Sequence, residues 1–160
     1  MAAGSTYTPI ATTTLGSAAS TVTLSSIPST YTDLHIVFTY GSSADGYVYI
    51  TVNGDTASNY SMTRLTALPS SDRISNSTSL QNTLYGYSGA IAIGEIDIMN
   101  YASTNMIKTF LIKDTESAPD MQRCTGTWRS TSAISSITFT KQGGNFNTGS
   151  ILTIYGIAAA

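Results

Sequence analysis

The sequence predicts an all-β chain, a two-sheet antiparallel sandwich of jelly-roll type with nine to ten strands and no major helix. Three observations carry this. Ser and Thr fill 49 of the 160 positions (23 Ser, 26 Thr). Apolar residues recur at every second position in short runs, and clusters of Gly, Pro, Asn and Asp separate those runs. Thr is β-branched and brings neither charge nor helix support, so it suits the solvent face of a pleated sheet. With 41% hydrophobic and 10% charged residues, the chain has the apolar content for one core and lies outside the disordered class.

Residues 1–14, with Tyr7, Pro9 and the Thr12-Thr13-Thr14 run, form an edge strand or an arm that pairs with a neighbour, since Pro9 argues against a central strand. Residues 15–160 form a single β-sandwich domain. Ser20–Ser25 places Val22 and Leu24 on one face, and Thr32–Tyr40 aligns Leu34, Ile36, Phe38 and Tyr40. Between them, Ile27-Pro28-Ser29-Thr30-Tyr31 reads as a crossover between sheets. The next strand alternates Val48, Ile50 and Val52 with Tyr47, Tyr49 and Thr51. It ends at Asn53-Gly54-Asp55, which predicts a turn at positive φ with Asn59–Thr66 returning as the partner strand.

From Ala67 to Gly89 the alternation dissolves, and the segment reads as a long loop of the kind that carries function. In Ala90–Tyr101 the apolar phase switches across Gly94, from Ile91 and Ile93 to Ile96 and Ile98, which predicts a β-bulge there. Strands at Met106–Lys113, Cys124–Ser130, Ile134–Lys141 and Ser150–Ile157 complete the count, with a charged turn through Asp114, Glu116, Pro119 and Asp120.

Chemistry is sparse. The formal net charge is −2, with seven Lys and Arg scattered along the chain, so no basic stripe exists to neutralise phosphates and no nucleic-acid partner is expected. The longest apolar stretches fall far short of the ~20 residues of a spanning helix, and no signal peptide is read. Cys124 is the only cysteine, so no intrachain disulfide forms, which fits folding in a reducing cytosol. Cys124 itself reads as a small semi-buried residue.

Glu95 and Asp97 share one strand face with Cα atoms ~6.6 Å apart, a spacing a glycosidase pair can use. No His or Lys lies near them in sequence, however, and solvated charges opposite Ile96 and Ile98 are the plainer reading. His35, the only histidine, points outward as a surface or inter-subunit contact. Asn53, Asp55 and Asn59 offer three hard oxygens where Ca²⁺ takes ~6–8, and the same residues are common turn formers. No catalytic, cofactor-binding or metal-ligating residue is therefore assigned. The residues expected to meet a partner are Tyr7, His35, Tyr47, Tyr49, Tyr85 and Tyr87, because exposed aromatics on a sheet face suit a protein surface or a sugar ring.

Several segments carry a resemblance: Ile27-Pro28-Ser29-Thr30-Tyr31-Thr32-Asp33-Leu34, Val52-Asn53-Gly54-Asp55 through Asn59-Tyr60-Ser61, Thr127-Trp128-Arg129-Ser130-Thr131-Ser132-Ala133-Ile134, Gly144-Asn145-Phe146 and Leu152-Thr153-Ile154-Tyr155-Gly156-Ile157. In this order they resemble small virion proteins of tailed bacteriophages, the capsid cement (decoration) proteins and related fibre modules. The resemblance implies a jelly-roll homotrimer with no enzyme activity. Such a protein is made in the host cytoplasm and sits on the outer capsid surface of the virion, where it clamps neighbouring major capsid subunits. The alternative is a receptor-binding, glycan-recognising module of a tail fibre or spike. The absence of an N-terminal shaft or coiled coil favours the cement role.

Overall fold

The computed structural model describes residues 6–66, 71–116 and 121–158. Met1–Ser5 of the N-terminal segment, Leu68 of the expected loop, and Pro119 and Asp120 of the charged turn lie outside the described residues.

Twelve strands follow one another: β1 (Tyr7–Thr14), β2 (Thr21–Leu24), β3 (Asp33–Gly41), β4 (Gly46–Val52), β5 (Tyr60–Thr66), β6 (Ser71–Ser77), β7 (Leu80–Gly86), β8 (Ile91–Met99), β9 (Lys108–Glu116), β10 (Met121–Trp128), β11 (Ile137–Lys141) and β12 (Ile151–Ile157). They form two antiparallel sheets, ordered β1-β12-β3-β8-β9-β10-β5-β6 and β2-β11-β4-β7. The hydrogen-bonded pairs β1·β12, β2·β11, β3·β8 and β4·β7 nest inside one another. That nesting is the double Greek key of a jelly roll. The remaining four strands come from two insertions, β5–β6 between β4 and β7, and β9–β10 between β8 and β11. They pair with each other through β5·β10 and extend the larger sheet beyond the roll.

The expected alternation decides the core. Leu34, Ile36, Phe38 and Tyr40 of β3 meet Val48, Ile50 and Val52 of β4 and Ile137 and Phe139 of β11 across the sandwich, all fully or almost fully buried. The rings of Phe38, Tyr40, Phe139 and Phe146 pack with centroids 4.7–5.6 Å apart, tilted or edge-to-face as aromatic quadrupoles favour.

Two buried tyrosines clamp the crossings between sheets. Tyr101 donates its hydroxyl to the Pro28 carbonyl and accepts from Tyr31 N–H at 3.3 Å, pinning the β2–β3 crossover the Pro announces. Tyr60 accepts from Val52 N–H and donates to the Asp55 carbonyl, pinning the β4–β5 turn.

Three expectations need correction, and one open alternative is resolved. The strand count among the described residues is twelve because residues 71–86, read as loop, form β6 and β7. Asn53-Gly54-Asp55 does turn at positive φ (52° and 67° at the first two residues), but it carries the chain to the other sheet, so β5 pairs with β10 and β6 and not with β4. The N-terminal segment is an edge strand on its own β12, with a register shift beside Pro9.

Gly94 makes no bulge: it pairs in register with Phe38 and Asp114. It faces inward with Ala92, Ile96 and Ile98, because a Cβ there would lie 2.7 Å from the Leu84 side chain. Gly126 leaves the same kind of hole for Leu80. The leucines of β7 thus sink into two glycine gaps of the larger sheet.

Candidate binding surfaces

Because neighbouring strands stay in register, the outward residues of the large sheet form rows. One row runs Tyr155, His35, Asp97, Leu111, Thr125, Thr63 and Arg73 from β12 to β6. His35 Nδ1 lies 2.7 Å from Asp97 Oδ1, and since a carboxylate only accepts, the ring donates there. Tyr7 stands edge-on to His35 and to Tyr155 at 5.6 and 6.3 Å. The next row runs Thr153, Val37, Glu95, Lys113, Arg123 and Leu65, with Glu95 Oε2 and Lys113 Nζ 3.1 Å apart. Long-range pairing therefore gives each acid the basic neighbour that the local sequence withholds.

At the corner of this face sit Ile91, Ile93 and Ile151, exposed by 62, 44 and 42%. Ile151 and Ile93 flank Thr39 in a third row. They give this corner an apolar character, bordered by Glu95 and Lys113. Reading Gly94 as an inward position would have revealed Ile91 and Ile93, since they share the parity of Glu95 and Asp97. Tyr155 was legible in the same way, opposite Ile154.

On the smaller sheet, Tyr47, Tyr85 and Tyr87 form an edge-to-face strip with centroids 4.7 and 4.9 Å apart, and the Arg64 guanidinium lies 4.8 Å over the Tyr47 ring. Tyr49 stands outside the strip, across from Thr140 on β11. The six expected contact residues thus divide into Tyr7 and His35 on one sheet, the three-tyrosine strip on the other, and Tyr49 apart.

The Asn53 and Asp55 side-chain oxygens are occupied as loop clamps, and Asn59 joins them through its Nδ2. Asn53 Oδ1 accepts from Ser135 N–H, Ser136 N–H and the Ser135 hydroxyl, while Nδ2 donates to the Ala133 carbonyl. Asp55 accepts from Ala57 N–H, Asn59 Nδ2 and the Trp128 indole. Asn59 and Trp128 hold its carboxyl below the usual range. Among the described residues no three His, Cys, Asp or Glu gather.

Beneath the strip, the free edge of β7 lies on the inward face of β9 and β10. Asp114 Oδ2 accepts the Tyr85 N–H at 2.7 Å, and the Cys124 thiol approaches the Thr83 carbonyl at 3.6 Å. Arg64 donates to Gln122 Oε1. Burial pushes the Cys124 thiol up to about 12, so it is neutral and a poor nucleophile. Lys108, fully buried on β9, gives its ammonium to the carbonyls of Ser103, Met106 and Thr131. Burial lowers its pKa.

No protein-family model, curated protein or solved structure matches this chain.

Proposed function

We propose that this chain is a capsid cement (decoration) protein of a tailed phage. In this reading it acts as a homotrimer on the outside of the assembled head and clamps neighbouring major capsid subunits. The observation that carries the reading is the outward face of the large sheet, eight strands and roughly 34 Å wide, with Ile91, Ile93 and Ile151 exposed at one corner. A broad pleated face of this size matches the ~800 Å² that one partner contributes to a stable protein interface. Its apolar corner, edged by the Glu95–Lys113 pair, matches the apolar centre and polar rim of protein interfaces. Hydroxyl, aromatic and apolar contacts also depend little on salt, which suits a particle that leaves its host.

The test is addition of purified protein to expanded, undecorated heads. Wild type is expected to bind at regular lattice positions and raise the rupture temperature. Ile93→Lys, still folded by circular dichroism, is expected to bind at least tenfold more weakly. Failure of wild type to bind overturns the reading, and full binding by Ile93→Lys removes this face from it.

The Tyr47, Tyr85 and Tyr87 strip favours a second reading, recognition of a host glycan, since contiguous rings suit a sugar face. Hundreds of copies per particle support cement. A few dozen copies, with glycan binding lost in Tyr87→Ala, support the second.

A further inference from the structure

Asp114 sits inward on β9, 2% exposed, where the smaller sheet ends at β7. Its Oδ2 accepts the Tyr85 amide, while its buried Oδ1 makes no hydrogen bond among the described residues. A charged carboxylate here is held out of water with one oxygen lacking a donor, whereas a carboxylic acid is tolerated. We propose that Asp114 is a protonation latch: neutral, it holds the free edge of β7 down on the large sheet; ionised, it draws water under that edge and loosens the strand bearing the tyrosine strip.

The groups around it leave this role to Asp114 alone. Its register neighbours are Gly94 on β8 and Gln122 on β10. One step along, Cys124 is held neutral by burial. The Arg64 guanidinium of β5 is turned to Gln122 and to the Tyr47 ring, and β7 presents the Tyr85 amide. Glu95, Lys113 and Arg123 occupy the opposite, outward face. Burial raises the Asp114 carboxyl to about 7, with the Tyr85 and Thr115 amides pulling it partly back.

A folded carboxyl raised above its ordinary 3.8 keeps a proton that the unfolded chain gives up. Its stabilising contribution is full below pH ~4, is lost as pH rises to ~7, and is flat beyond. Asp55, lowered, acts with the opposite sign and only at more acid pH.

The experiment follows melting temperature and Tyr85 amide exchange on the full chain from pH 5 to pH 8. Wild type is expected to lose roughly 5–10 °C over this range, with protection of the Tyr85 amide falling in parallel. In Asp114→Asn that loss is expected to disappear. An unchanged slope in Asp114→Asn, or constant Tyr85 protection in wild type, overturns the latch. Should Asp114→Asn fail to fold, the wild-type Asp114 side-chain carbonyl carbon followed by NMR decides: a midpoint near 7 supports the latch and one near 4 overturns it.

Discussion

Inside the roll, where two sheets cover one another, the inward positions of β3 read Leu34, Ile36, Phe38 and Tyr40. On the overhanging wing, the inward positions of β5, β9 and β10 include Arg64, Asp114, Gln122 and Cys124. The pleat is the same; what lies above it differs. The roll is roofed by side chains, so only shape and apolar area count. The wing is roofed by the edge of a single strand, β7, whose amides and carbonyls need partners once buried. Polar side chains at inward positions are the cost of ending one sheet above another that continues.

The sharpest way to break this comparison is to remove one side chain from the roofed region. Phe38→Ala deletes a ring packed against Tyr40, Phe139 and Phe146. It is expected to lower unfolding free energy by about 3–5 kcal/mol in urea titration; a loss below 1 kcal/mol would show that the roll is loosely packed. Gly94→Val tests the seam between the regions. Its branched side chain must displace Leu84, at about 1–3 kcal/mol in the same titration, and an unchanged midpoint would mean that β7 is not seated in the glycine gaps. The smallest effect belongs to the outward face. Lys113→Ala breaks an ion pair whose side chains are 46 and 43% exposed, so the expected change is below ~1 kcal/mol and vanishes in high salt.

The same contrast explains what could be read in advance. β2, β3, β4, β11 and β12 have one face buried in the roll, so these strands were legible, to within a residue or so at their ends except for β11, which begins at Ile137 and not Ile134. β6 and β7 were not. In β7 the buried residues are Leu80, Thr83, Leu84 and Gly86, a spacing broken by a register shift against β4 between Val48 and Ile50 and by Asn82 at positive φ. No alternation survives that.

Gly94 misled for a related reason: a glycine on an inward position looks like a gap in the apolar pattern when its Leu84 partner comes from another strand. The outward location of His35 and Tyr47 followed from parity; Tyr85, in β7, and Tyr7, in the edge strand, carried no such signal. The grouping of all four, and the pairing of Asp97 with His35, arose from strands whose paired residues lie far apart in the sequence, 62 positions for Asp97 and His35, and had no local signature.

The nested pairing also sets an order of events during synthesis. β11 and β12, made after the strands they lie between, are interior members: β12 separates β1 from β3, and β11 separates β2 from β4. A nascent chain in which β11 and β12 are not yet made therefore leaves β1 and β2 with no hydrogen-bonded neighbour among the described strands, and contacts such as Thr12 to Thr153, 141 positions apart, wait for β12. Such high contact order makes folding slow and late, and keeps unpaired β-edges exposed to sister chains on the same message for longest.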